Sequence, residues 1–397
     1  MKIYEIGTGY TPIPAQMGAA TEIVVEELTR SFIKNGVDAT IIDIKAQNRA
    51  ECELPIVEVG VPKVFTKTDV SLGIMHKLKR VCYSISLAKK LKKILKETDE
   101  KVVLHFHNQY NLFFFLKLTS KKLRQKATIA YTVHSYIWHG EWDEIEEIVK
   151  KRYFQEVFCL QNADICFVLN NKTKNNIENH IGVVGNKIIL VDNGVNTNVY
   201  KTLDVDEKES LKGKYGLKDK RVFLQVGSVC ERKNQLKSVE LLLPLIKQNP
   251  NIVFCYAGGI ISEEYQSSIM DYVLKNGISQ QIIYLGELTP GKILNEVYNT
   301  ADAMIFPSTA EGFSLVIIEA LAAGIPVIVK SSLQFDLADK CIVYDESGDD
   351  FCYLVKNMVF DEKTKNMLIN KAHSAVLEKY SWDAVAKEQF ELFKKLS

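Results

Sequence analysis

Short apolar runs alternate with longer stretches of helical periodicity along almost the whole chain. Lys2–Ile6 reads as a first strand, and residues 19–35 carry the spacing of an amphipathic helix that stops at Gly36. Ala39–Ile44 returns to strand character. Between 74 and 95, apolar residues recur at Ile74, Leu78, Val81, Ile85, Ala88, Leu91 and Leu95, which predicts a helix with that stripe turned to a core. "KVVLHF", "TIAYTV", "ICFVL" and "IILV" follow as buried strands, the first two each arriving at a histidine. Residues 200–220 are polar and charged and read as a surface linker. The alternation then restarts with "RVFLQVGSV" and continues through "NIVFCYAGG", "QIIYLGEL", "ADAMIFPS" and "IPVIVK". Strands apolar on both faces and separated by helices predict parallel sheets covered on both sides. The expected fold class is α/β, with two doubly wound domains, residues 1–200 and 201–381. Ligands of such sheets bind beyond the carboxyl ends of the strands, and two facing domains would form a cleft there.

Composition narrows the setting. A chain of 397 residues is too long for one ordinary core, and 25% charged with 47% hydrophobic residues is ordinary for a soluble protein. No apolar run reaches the ~18 residues of a membrane span, and the first residues lack the layout of a signal peptide. Eight cysteines are scattered without a CxxC pair, which suits free thiols in a reducing compartment. A cytoplasmic location is expected. The net charge of +1 hides an asymmetry, because residues 63–126 hold 16 Lys/Arg against 4 Asp/Glu. Lys77, Lys79, Arg80, Lys89, Lys90, Lys92, Lys93 and Lys96 lie on one helix, and Lys117, Lys121, Lys122, Arg124 and Lys126 follow. Such a patch suits peripheral contact with anionic lipid on the cytoplasmic face. No nucleic-acid partner is expected.

The segment 308–328, "STAEGFSLVIIEALAAGIPVI", carries the sharpest chemistry. Ser314 is a plausible N-cap for a helix over 315–323 that closes at Gly324, with Pro326 beyond. The helix is apolar apart from Glu319, and an unpaired buried carboxylate costs several kcal/mol. A salt bridge or a backbone cap would satisfy Glu319. A second reading starts from the helix N-terminus, whose free N–H groups attract an anion. Glu311 precedes the helix and Glu319 lies ~7 Å into it, so two hydroxyl-accepting carboxylates would flank a bound phosphate. That is the layout of a nucleotide sugar: ribose, diphosphate, sugar.

Other motifs are weaker singly. In "VGSVCERKNQ", Arg232 and Lys233 sit in a turn at a strand's carboxyl end, where cations suit a diphosphate. Gly18 and Ala19 precede the first crossover helix, where small residues admit a ligand. "GTGYTP" lacks the dinucleotide fingerprint, since Pro12 takes the place of its last glycine. His134 ends the strand in "YTVHS". His105 and His107 share a strand face without an adjacent carboxylate, so no metal site is expected. "DVD" at 204–206 falls in the polar linker rather than at a strand end.

Taken together, the chain resembles the retaining family 4 glycosyltransferases (glycosyl transferases group 1) of GT-B fold, built from two Rossmann-like domains, over nearly its whole length. "EGFSLVIIEALAAGIPVI" fits that family's Glu–seven residues–Glu motif, and "YTVHS", "VDNGVNTNVY", "VGSVCERKNQ", "YAGG", "LGEL" and "ADAMIFPS" appear in family order. "YSWDAVAKEQFELF" resembles the closing helix, 382–397, that returns to the first domain. The resemblance implies an acceptor-binding first domain and a donor-binding second one. It implies that Glu311 contacts the transferred sugar, that Gly312 with the backbone of Phe313, Ser314 and Leu315 holds sugar and diphosphate, and that Glu319 holds the ribose. Lys233 would bind the diphosphate, His134 would sit at the donor sugar, and Gly18 would line the phosphate side. Ser228 stands where the family usually has Arg, and Arg232 is the candidate substitute. The implied reaction moves a hexose from a nucleotide-diphosphate sugar, UDP- or GDP-linked, to a sugar, glycan or lipid-linked hydroxyl without a metal or other cofactor. Cell-surface polysaccharide or glycolipid synthesis is the implied setting. A nucleotide-sugar epimerase of the same fold, or a non-catalytic nucleotide-sugar-binding protein, is the alternative.

Overall fold

A computed structural model describes residues 1–14, 20–47, 49–62, 74–138, 142, 145–182, 187–309, 311, 313–333 and 337–396. Two parallel sheets divide them. The first holds β1 (Lys2–Ile6), β2 (Ala39–Ile44), β3 (Ile56–Val59), β4 (Val102–Phe106), β5 (Ala127–Thr132), β6 (Ile165–Val168) and β7 (Ile188–Leu190) in the order β3-β2-β1-β4-β5-β6-β7. The second holds β8 (Arg221–Val226), β9 (Ile252–Ala257), β10 (Ile282–Tyr284), β11 (Ala303–Phe306), β12 (Val327–Lys330) and β13 (Ile342–Tyr344) in the order β10-β9-β8-β11-β12-β13. In each sheet the order reverses beside its first strand, between β1 and β4 and between β8 and β11. Loops leaving neighbouring strands there diverge and open a crevice.

The first compact unit comprises residues 1–194 and 382–397. Its central strands are buried on both faces, and apart from His105 and the β5 threonines their residues are apolar or aromatic. The helix Ile74–Glu97 packs through Tyr83, Leu87, Ala88, Leu91 and Leu95, whereas Leu78 is 48% exposed. Leu78 lies nine residues before Leu87, half a revolution away on an α-helix, so the stripe read from the sequence turns out of the core at its start. The basic surface is also smaller than its residue count implies. Lys79 is buried, and the Arg80 guanidinium sits between the Tyr10 and Tyr110 rings, 4.7 and 4.1 Å from their centroids. The helix Trp382–Leu396 belongs to this unit. Its apolar face buries Trp382, Val385, Ala386 and Phe393, with Phe393 against Phe32, Phe167 and the ring of His105.

The second unit comprises residues 195–381. Successive residues of its strands face different cores, with Val222 and Leu224 in one and Phe223 in the other. The segment read as a linker carries a helix, Val205–Lys214, instead. Asp204 caps it and forms a reciprocal capping box with Glu207, so the "DVD" acids start a helix. The helix was missed because it is polar all round and shows no apolar period.

Candidate active site

The second unit gathers charge at its sheet reversal. β8 runs into a turn bearing Arg232 and Lys233, and neighbouring β11 runs into the loop bearing Ser308 and Glu311. Glu311 Oε1 accepts from Arg232 Nη1 at 2.7 Å, Lys233 Nζ at 2.7 Å and Ser308 Oγ at 2.5 Å. The turn is locked to the loop by backbone, since the Arg232 carbonyl accepts from Thr309 N–H at 3.0 Å, and Ser308 Oγ lies 3.1 Å from the same carbonyl. Gln225 Nε2 holds the Lys233 carbonyl at 2.7 Å. The Lys233 and Glu311 side chains are only 11% and 10% exposed, so water screens this pair little. Burial lowers the Lys233 pKa and the Glu311 charge opposes that shift. Two cations thus share one carboxylate oxygen at a sheet's carboxyl edge. Ser228 lies half-buried on the same turn, its carbonyl accepting from Gln235 Nε2 at 3.0 Å. Gly18 and Gly312 lie outside the described residues.

The helix after Glu311 spans Leu315–Ala322, with Ser314 at its N-cap in extended conformation and no side-chain cap bond. It ends on Gly324 at φ +74°, with Ile325 N–H returning to the Ala320 carbonyl at 3.1 Å. Phe313 and Leu315 are half-buried against the core at its start. Glu319 finds tyrosines rather than a cation. Tyr298 donates to its Oε2 at 2.9 Å, and Tyr200 also bonds the carboxyl. Burial raises its pKa to about 7, with the two phenols pulling the other way. Glu311 and Glu319 therefore have separate donor sets, one cationic and one phenolic. Tyr200 and Tyr298 escaped the sequence reading because each is distant from Glu319 along the chain, and an isolated tyrosine carries no motif.

In the first unit, β1 and β4 pair in register at Glu5 and His105. His107, two residues on, turns to the same side. Glu5 Oε1 lies 2.8 Å from His105 Nδ1, and Oε2 lies 2.7 Å from His107 Nε2. His105 Nε2 meets Thr132 Oγ1 at 2.7 Å, and His107 Nδ1 meets His134 Nε2 at 3.1 Å. The expectation of no carboxylate beside the histidines is corrected: Glu5, 100 residues away, bridges them. Glu5, His105 and His107 could together hold a metal ion by proximity, their ligating atoms lying within 4.8 Å. The same atoms are already hydrogen-bonded to one another, and an ion would have to replace those bonds. His134, with Thr8, Tyr10, Glu22, Asn108 and Tyr153, lines a cavity of about 220 Å³. Glu22 accepts the Thr8 hydroxyl, and burial raises its pKa to about 7.

Two doubly wound units, each with polar groups at its sheet reversal, have the architecture of the GT-B fold. The chain overlays on sucrose-phosphate synthase from Thermosynechococcus elongatus with TM-score 0.75 at 18% identity, covering 100% of this chain and 98% of that one. It overlays on Anabaena HepE, solved in complex with UDP-glucose, with TM-score 0.72 at 13% identity and full coverage of both chains. At such identity the likeness speaks for the fold. Residues 21–199 match the description "Glycosyltransferase Family 4" and residues 207–335 match "Glycosyl transferases group 1". The chain belongs to family 4 of the glycosyltransferases. An uncharacterized glycosyltransferase of Methanocaldococcus jannaschii is 29% identical over 215 residues, 52% of this chain and 54% of that protein. The chain thus matches about half the length of that relative. The UDP-Gal:α-D-GlcNAc-diphosphoundecaprenol α-1,3-galactosyltransferase of Escherichia coli is 26% identical over 276 residues, 67% of each chain.

Proposed function

We propose that the protein is a retaining glycosyltransferase that moves a hexose from a nucleotide-diphosphate sugar to an acceptor hydroxyl. The observation that carries this reading is the convergence of Arg232, Lys233 and Glu311 at the β8–β11 reversal, ahead of the helix Leu315–Ala322. Cleaving the sugar–phosphate bond leaves added negative charge on the departing diphosphate. Two cations and a helix N-terminus answer that charge without a metal. In this reading Lys233 and Arg232 turn from Glu311 to the diphosphate when donor arrives, and Arg232 takes the place of the cation absent at Ser228. Glu311, relieved of them, accepts from the transferred sugar. Gly312 and the backbone of Phe313, Ser314 and Leu315 hold sugar and diphosphate, and Glu319 accepts from the ribose.

No described carboxylate has an evident nucleophile's role. The reading is therefore front-face transfer, in which the departing phosphate oxygen takes the acceptor proton as the new bond forms on the face the diphosphate leaves. The first unit is assigned the acceptor. UDP is the favoured nucleotide, because the HepE structures hold UDP and UDP-glucose and the Escherichia coli relative is named for a UDP-sugar. A lipid-linked or glycan acceptor is supported by that relative's diphosphoundecaprenol substrate and by the Streptococcus pneumoniae α-galactosylglucosyldiacylglycerol synthase, 28% identical over 155 residues.

The first unit also offers a surface for an anionic bilayer. Lys117, Lys150 and Lys151 line a groove with Phe113, Phe154 and Phe158, in which Lys150 pairs with Glu147 at 3.0 Å and Phe154 is 56% exposed. Among the described residues no helix is long and apolar enough to cross a membrane, so contact would be peripheral. Donor choice is tested with a panel of UDP-, GDP- and ADP-sugars, scored by thermal shift and then by nucleotide release. One nucleotide class is expected to raise the melting temperature and be turned over. A panel in which no nucleotide sugar binds would reject the reading.

A further inference from the structure

Arg80 holds a charge that nothing in the first unit answers. Its guanidinium lies between two tyrosine rings, 4.7 Å from the Tyr10 centroid and 4.1 Å from the Tyr110 centroid. A ring face attracts a cation but offers its N–H groups no lone pair. Among the described residues no carboxylate pairs with Arg80, and its Nε is sealed from water without an acceptor. A buried donor left unpaired costs about 1–3 kcal/mol, and more when it is charged. Lys79, beside it on the helix Ile74–Glu97, is 7% exposed and also has no ion pair among the described residues. The rings are themselves held. Asn108 accepts from Tyr110 N–H at 2.9 Å and donates from Nδ2 to the Tyr10 hydroxyl at 2.9 Å. The fork is therefore in place before any ligand arrives. Tyr110 also stands in the first turn of the helix Gln109–Leu118, at the positive end of its dipole.

Tyr10 and Asn108 are wall residues of the 220 Å³ cavity, so the cation stands one tyrosine ring away from that space. The described residues that line the cavity carry hydroxyl, amide, imidazole and carboxyl groups, and none is Lys or Arg. Such a wall suits a body rich in hydroxyls, and the guanidinium beside it suits an oxyanion, which an arginine fork meets with two parallel hydrogen bonds. We propose that Arg80, braced by Tyr10 and Tyr110, is a specificity-determining residue that binds the phosphate of a polyhydroxylated ligand seated in the adjoining cavity. The phosphate group is the recognised chemistry, whether a sugar or a lipid carries it. The proposal rests on the transferase reading only in calling that ligand the acceptor.

The test is calorimetric titration of the full chain with inorganic phosphate, in an Arg232→Gln/Lys233→Gln background that removes the cations of the second unit's cluster. A phosphate site is expected to persist there. Adding Arg80→Met, which fills the space between the rings without donors, is expected to weaken it about tenfold or more. Arg80→Lys keeps the charge but loses the fork, and is expected to weaken it by less. Circular dichroism checks that each variant is folded. Glucose 6-phosphate and dihexanoyl phosphatidic acid carry the same group on a sugar and on a lipid, and the one whose affinity falls further in Arg80→Met names the source. Phosphate affinity unchanged in a folded Arg80→Met protein, or in Arg80→Lys where the methionine variant does not fold, would overturn the proposal, because a guanidinium that only packs two rings predicts that result. Finding no phosphate site in the Arg232→Gln/Lys233→Gln background would overturn it too. Neither outcome involves turnover, so failure of the anion site is distinct from failure of the functional reading.

Discussion

Replacing Glu319 with glutamine should make the second unit more stable at alkaline pH while weakening donor binding. The carboxyl sits against Tyr200 and Tyr298, and burial raises its pKa from 4.5 to about 7. The unfolded chain ionises this group near 4.5, whereas the folded chain keeps the proton until about 7. Stability from the group is thus fully present below pH 4.5 and lost as pH rises through 7. The gap between 4.5 and about 7 corresponds to about 3 kcal/mol across that window. Glutamine keeps an oxygen for the two phenols and does not titrate. Relative to the unaltered protein, Glu319→Gln should gain about 3 kcal/mol between pH 4.5 and pH 8, or roughly 6–12 °C in the melting temperature of a unit this size. Glu22 and Glu156, also at about 7, titrate in both proteins and cancel in the difference. If Glu319 also accepts the ribose hydroxyls, losing its charge costs about 1.5–3 kcal/mol of donor affinity. Scanning calorimetry at the two pH values and donor titration read both effects. A variant whose melting temperature runs parallel to that of the unaltered protein across the window would refute the argument.

Gly258→Ala should destabilise the second unit by about 2 kcal/mol or more, since the residue sits at φ +146° and an added Cβ would lie 2.2 Å from the Gly227 carbonyl oxygen; urea unfolding measures it. Phe393→Ala should cost the first unit about 3–5 kcal/mol by hollowing the seat between Phe32, Phe167 and His105, and calorimetry should register the loss in the first unit. Flotation with anionic liposomes should carry the protein at low salt and release it at high salt, and replacing Lys117, Lys150 and Lys151 with glutamate should leave it in the soluble fraction under both.

The central strands of both sheets were legible because they are mostly apolar on both faces, a pattern water-exposed segments do not sustain, whereas the edge strands β3 and β13, each short and with an exposed residue, were not read. Glu311, Glu319, Arg232 and Lys233 were legible as candidates because each is a charge set at or beside an apolar element. Their partnerships were not. Lys233 meets Glu311 across 78 residues only because β8 and β11 are neighbours. Glu5 meets His105 only through the register of β1 on β4, and neither strand's own sequence states that pairing. The helix Val205–Lys214 lacks an apolar face, so the cue for helix was missing where a capping box sets its start.

The central claim is that the Arg232–Lys233–Glu311 cluster performs sugar transfer from a nucleotide donor. Turnover of the donor found in the nucleotide-sugar panel, followed as released nucleoside diphosphate with Glu311→Ala beside the unaltered protein, addresses it most directly. Glu311→Ala is expected to remain folded by calorimetry, to bind donor, and to lose on the order of 10²–10³-fold in turnover. A folded Glu311→Ala protein that transfers at the full rate would contradict it.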